Sequence, residues 1–205
     1  MKKMTVFLML ILISHAVMAQ EWAFNVLLDK KPIGEHTFSL NEARDALTSK
    51  AKFDVKLLFI NAYNYLHSSN ETWQGDCLTS IDANTNDNGD KSVVTGKLEG
   101  QSFVLNSTKG GKQTLPACIM TFAYWNPKML TQNKLLNPQT GDYLDVKITQ
   151  VGKEQIEVRG KSVDAEHYNV IAKKMNIDLW YSPDKDWLAL RSTTPEGRVI
   201  NYKLK

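Results

Sequence analysis

The amino-acid sequence predicts a mostly β protein: an antiparallel meander of about twelve strands, curled into a barrel or half-barrel around one kinked helix. Three observations predict it. Leu47, Ser49, Ala51, Phe53, Val55, Leu57 and Phe59 share one phase of a period-two alternation, with Thr48, Lys50, Lys52, Asp54 and Lys56 in the other, which makes a long strand. Turn signals recur at short intervals, among them Asn88-Gly89, Glu99-Gly100 and Lys109-Gly110-Gly111. One stretch, Leu115 to Gly141, reads instead as helix. So many strands joined by short turns are too many for a flat open sheet, hence the expected curl.

The chain starts like a secretory leader. Lys2 and Lys3 form a charged head, Val6 to Ile13 is an apolar run too short to span a bilayer with this flank, and Val17-Met18-Ala19 fits a small-residue cleavage site. Cleavage after Ala19 is expected, leaving residues 20–205 as a single β-barrel-like domain and placing the protein in the periplasm. No cysteine follows the cleavage site to carry a lipid anchor, and no second long apolar segment follows the leader.

After the leader, Trp22, Phe24, Val26 and Leu28 alternate as a buried strand face, Asp29 to Gly34 reads as a turn, and Glu35 to Leu40 returns. Tyr63 to Trp73 and Leu78 to Ala83 follow as strands. Asn84 to Asp90 is a turn segment, and Ser92–Leu98 with Ser102–Leu105 forms a hairpin. Beyond Gly141, Leu144, Val146 and Ile148 start a strand, Gln150 to Glu154 turns, and Ile156 to Gly160 returns. Ala165–Lys174, Ile177–Tyr181, Trp187–Thr193 and Val199–Leu204 complete the meander, with turns at Ser182-Pro183-Asp184-Lys185 and Thr194-Pro195-Glu196-Gly197.

In the central stretch, Pro116 suits a first helical position, and Cys118, Phe122 and Trp125 fall at i, i+4 and i+7. Asn126-Pro127 restarts the helix as cap and first residue, giving the kink, and Asn137-Pro138 ends it. Neither piece exceeds about ten residues, so packing must hold both. IMTFAYW also has strand propensity, so a further strand over Cys118–Trp125 is the alternative.

Cys77 and Cys118 are the only cysteines, and an even count in an exported chain favours a disulfide between them. The loop it closes is worth about 4 kcal/mol in the chain-entropy picture. The formal charge of the whole chain is +3, and the two leader lysines account for most of it. With no Lys/Arg cluster on one face, nucleic acid is not an expected partner.

Catalytic motifs are missing: no HExxH, GxSxG, SxxK or phosphate-binding loop occurs. His36, His67 and His167 each have an acid nearby in sequence, Glu35, Glu71 and Glu166, but none shares metal-ligand spacing with another. Asp82 to Asn86 begins like a calcium loop, yet Asp87 stands where glycine is required and Val93 where the last glutamate belongs. Asn70-Glu71-Thr72 and Asn106-Ser107-Thr108 match a glycosylation acceptor, which matters only in a eukaryotic secretory route. No metal or cofactor is expected. The aromatic residues are more suggestive. Phe122, Tyr124 and Trp125, with Tyr63 and Tyr65 on a strand, are the candidate lining of an apolar cavity between sheet and helix.

The segments EWAFNVLLDKKPIGEHTF, NETWQGDCLTSIDANTNDNG, TFAYWNP, LLNPQTGDY and DLWYSPDKDWLAL resemble an exported bacterial family classed as a domain of unknown function. The resemblance spans essentially the whole mature chain and carries no catalytic residue with it. In pattern the chain is also similar to periplasmic curled-sheet proteins such as the outer-membrane lipoprotein carriers, a likeness of architecture alone. Together these readings lead to an exported, non-enzymatic protein that binds a hydrophobic, lipid-like ligand. The alternatives are an envelope hydrolase or lipid-modifying enzyme using His67 or His167 with a carboxylate, and an accessory scaffold that offers a sheet edge.

Overall fold

The computed structural model describes residues 19–57 and 60–205. Residues 1–18, which hold nearly all of the expected leader, and Phe59 of the long strand lie outside the described residues. No described helix is long and apolar enough to cross a membrane.

Eight strands precede the central stretch: β1 (Gln20–Leu28), β2 (Lys31–Leu40), β3 (Ala46–Leu57), β4 (Ile60–Gln74), β5 (Cys77–Asp87), β6 (Asp90–Glu99), β7 (Ser102–Ser107) and β8 (Gly111–Pro116). A strap of irregular chain follows, holding the short hairpin β9 (Lys134–Leu136) and β10 (Tyr143–Asp145). Then come β11 (Lys147–Val158), β12 (Lys161–Ala172), β13 (Met175–Tyr181), β14 (Trp187–Thr193) and β15 (Val199–Leu204). Thirteen of these form one antiparallel sheet, in the order β11-β12-β13-β14-β15-β1-β2-β3-β4-β5-β6-β7-β8. Two adjacent meanders are thus joined where the first strand pairs with the last, Phe24 opposite Leu204.

The expected curl is present, but the sheet does not close into a barrel: β8 and β11 are its two edges, and the strap is the chain that links them. Residues from β1, β7, β13 and β14 meet strap residues in one apolar cluster, with Phe24 against Trp187 at 4.4 Å between ring centroids. Gln113 on β8 donates to the Gly141 carbonyl at 3.2 Å and Lys173, beyond β12, pairs with Asp142 at 3.4 Å, so the strap is fastened toward both halves. The free edge of β11 carries Lys147, Lys153, Glu154 and Glu157 and is broken by a bulge between Gln150 and Gly152, devices that discourage further strand pairing.

The predicted kinked helix is not present, and neither is the alternative strand over Cys118–Trp125. Ile119, Met120, Thr121, Phe122 and Ala123 are buried one after another. A helix would bury one stripe and expose the rest, whereas here every successive side chain faces protein. Backbone groups find partners outside the segment: Leu78 N–H donates to the Ile119 carbonyl at 2.9 Å, Leu136 N–H to Met120 at 2.8 Å and Phe122 N–H to Leu136 at 3.2 Å. Only the expected restart at Asn126-Pro127 is helical, as a single 3-10 turn over Pro127–Thr131, with the Asn126 side chain accepting from Lys128 N–H. Asn137-Pro138 turns the β9–β10 hairpin and does not end a helix.

Three expected turns are also shorter or absent. Gln150 to Glu154 is the bulge inside the continuous strand β11, because Gly152 relieves the extra residue without reversing the chain. Asn84 to Asp87 belongs to β5, and only Asn88-Gly89, both at positive φ (52° and 98°), forms the turn. Likewise Asp29-Lys30 alone turns β1 into β2. Within β2, Gly34 runs so close to β3 that a Cβ there would lie 1.9 Å from the Lys52 carbonyl oxygen.

Candidate functional site

On β4 the inward positions are Tyr63, Tyr65, His67, Ser69, Glu71 and Trp73. The period-two pattern therefore delivers a histidine, a serine and a glutamate into the core phase between aromatics. The neighbouring strands extend this polar row sideways. Ser49 on β3 lies opposite Ser69, Thr85 on β5 opposite His67, and Ser92 on β6 opposite Thr85. His36 on β2 reaches Ser49, its Nε2 2.7 Å from Oγ, while its Nδ1 is 3.2 Å from the Tyr202 hydroxyl. His67 Nδ1 bonds Thr85 Oγ1 at 2.9 Å, and its Nε2 has no hydrogen bond among the described residues.

Glu71 is the most constrained member. It is 4% exposed, and among the described residues its two oxygens accept only from the hydroxyls of Ser69 and Thr121, each at 3.3 Å. Loss of hydration pushes its carboxyl up to about 7, against the weaker opposite pull of those hydroxyls. The Trp73 indole N–H adds a pull of the same sign as the hydroxyls, though its geometry falls short of a hydrogen bond. Burial acts in the opposite sense on the imidazoles, lowering His67 to about 4 and His36 well below its ordinary value. At neutral pH the row therefore holds two uncharged imidazoles and a carboxyl near balance.

The strap lies over this row and leaves a cavity of about 70 Å³. Its sheet wall is His36, Phe38, Leu47, Ser49, His67, Ser69 and Glu71; its strap wall is Thr121 to Trp125, and Asn137 to Gln139 and Met175 stand at the rim. The strap is held down beside the cavity by the predicted disulfide, Cys77–Cys118, and by Trp125, which meets Trp73 edge to face at 5.5 Å. Asn126 adds a bond to Asp76 at 3.0 Å.

Of the aromatic residues singled out from the sequence, Phe122, Tyr124 and Trp125 do line the cavity together. Tyr65 and Tyr63 sit farther along the same concave face, in a second cluster where Tyr65 stacks on Phe53 at 5.1 Å. From the sequence, His36 is singled out only as one of three histidines with an acid nearby and Glu71 only as the acid near His67; Ser49, Ser69 and Thr121 are not singled out. The sign that could have found them is the unbroken alternation of β4, which puts polar residues in phase with Tyr65 and Trp73.

His167 belongs elsewhere. It is on the opposite face of β12 from the core-facing Val170 and Ala172, stacked on Trp180 at 4.6 Å. Both its ring nitrogens lie 3.0 Å from carboxylates, Glu154 and Asp178. No cluster of metal-ligating side chains occurs among the described residues.

The sequence pattern described as "Domain of unknown function (DUF6134)" matches residues 24–205. The chain belongs to that family. A search of curated proteins finds no match. Among solved structures, the fold is similar to a beta-barrel-like protein of Domain of Unknown Function DUF1849 from Brucella abortus. The TM-score is 0.64 at 9% identity, over 93% of this chain and 97% of that one. At that identity the likeness concerns the fold alone.

Proposed function

We propose that this is an exported protein of the bacterial cell envelope, periplasmic after cleavage near Ala19, that binds a small hydrophobic or lipid-like ligand without transforming it. The observation that carries the reading is the cavity under the strap, where the aromatic side chains of Phe122, Tyr124 and Trp125 face a row of hydrogen-bonding groups on β2–β4. An apolar recess with a few convergent polar groups is the usual form of a small-molecule site.

The volume narrows the proposal. At about 70 Å³ the cavity holds a ligand's head or a short apolar group, well below the few hundred Å³ that encloses a drug-sized molecule. A longer chain has to leave past the rim at Asn137–Gln139 and Met175. Native mass spectrometry and solvent extraction of protein purified from its own envelope test this reading. A co-purified small molecule that is lost in a Tyr124→Trp variant is the expected result. An empty protein whose strap aromatics show no response to any added amphiphile would overturn it.

A further inference from the structure

We infer that the cavity takes a small organic cation, an alkylammonium or quaternary ammonium head, with Glu71 as its counter-ion and the strap aromatics as its apolar walls. The inference rests on the reading of this cavity as a ligand site and specifies the chemistry of what enters it.

Glu71 is buried in the concave face, yet among the described residues no lysine, arginine or histidine pairs with it. Other carboxylates here do find cations: Asp178 takes Arg191 at 2.8 Å, and Glu166 takes Lys185. Glu71 has two hydroxyl donors at 3.3 Å, long for hydrogen bonds to a carboxylate, and borders open space. A buried carboxylate of this kind is stabilised by a positive charge delivered next to it.

The surroundings suit the same guest. Phe38, Phe122, Tyr124 and Trp125 line the space, and aromatic side chains attract ammonium groups that have shed water. The two imidazoles present are held neutral by burial, so nothing in the row repels a cation. An anionic head, phosphate or carboxylate, would meet Glu71 with no basic group to offset it. The volume admits a head of a few heavy atoms, and the rim lets any chain attached to it run outward.

Isothermal titration of the disulfide-bonded mature protein compares choline with its uncharged carbon isostere, 3,3-dimethylbutan-1-ol, and with dodecyltrimethylammonium below its micelle concentration. At least a tenfold preference for the cation over the isostere is expected in the unaltered protein. Glu71→Gln should abolish that preference, and Glu71→Asp should retain it in part. Tight binding of choline itself identifies a free small ammonium compound as the source; binding of the long-chain cation alone identifies an amphiphile's head. Equal binding of choline and isostere would overturn the cation while leaving a ligand cavity in place. Binding of neither, nor of the long-chain cation, would overturn both. The comparison in the unaltered protein decides the matter even if Glu71→Gln does not fold.

Discussion

Trp73 on β4 and Trp125 on the strap meet edge to face, 5.5 Å between centroids and 86° between planes, and both indole N–H groups are buried without a hydrogen-bond partner among the described residues. This pair anchors the strap through apolar contact, where polar bonding is left unmade. Trp125→Ala is expected to cost about 3–5 kcal/mol by urea denaturation, the range for emptying a buried tryptophan site. Coupling to Trp73→Ala in a double-mutant cycle should be about 0.5–1.5 kcal/mol. Additive single effects would show that the two rings act separately.

The disulfide reinforces the same anchorage. Cys77 opens β5 and Cys118 opens the buried run of the strap, 41 residues later. Reduction should lower stability by about 4 kcal/mol if the unfolded chain is the state it constrains. Unfolding curves with and without dithiothreitol measure this, and a Cys77→Ser/Cys118→Ser variant should match the reduced protein.

Gly34→Ala should destabilise by more than about 1 kcal/mol, because the added Cβ would stand 1.9 Å from the Lys52 carbonyl oxygen on the adjacent strand. The same substitution at Gly152, where a Cβ meets nothing within 4 Å, serves as the control and should be much milder. Comparable losses at both positions would show that the close approach of β2 to β3 does not govern the effect.

The buried row predicts a stability that turns over with pH. Glu71 carries its proton to about 7 in the folded protein against an ordinary 4.5, so the native state binds more protons in that window. Stability from this group is full below about 4.5 and is lost as pH rises through about 7, an effect on the order of 3 kcal/mol. His67, lowered to about 4 from 6.5, works oppositely: its contribution is present above 6.5 and is lost as pH falls toward 4, with His36 acting in the same direction. Between about 6.5 and 7 only the Glu71 effect remains, so stability should fall there. Denaturation midpoints across pH should show Glu71→Gln losing this decline and His67→Asn weakening the rise below it.

The period-two alternations made β1, β3, β4 and β12–β15 legible, because a half-buried strand writes its faces directly into sequence. The strap misled for the opposite reason. Cys118, Phe122 and Trp125 fit a helical stripe, but so would many selections from a run in which nearly every residue is apolar, and consecutive burial is set by tertiary surroundings. The bulge at Gly152 imitated a turn, since the same residue types relieve both. At the site, Phe122, Tyr124 and Trp125 were legible as a cluster. Glu71 was legible only as the acid near His67 and not as a member of that cluster, because Asn70-Glu71-Thr72 is locally a polar tripeptide and only the phase of the whole strand reveals which of the three faces inward.

The pairing of β1 with β15 places the two terminal strands in the middle of the sheet, and both free edges come from mid-chain. Phe24 waits for Leu204, a partner about 180 residues away, so the central ladder is among the last contacts a growing chain can make. Loss of β15 would not fray a margin: it would cut the sheet into two separate meanders, β1–β8 and β11–β14, at the seam where they meet.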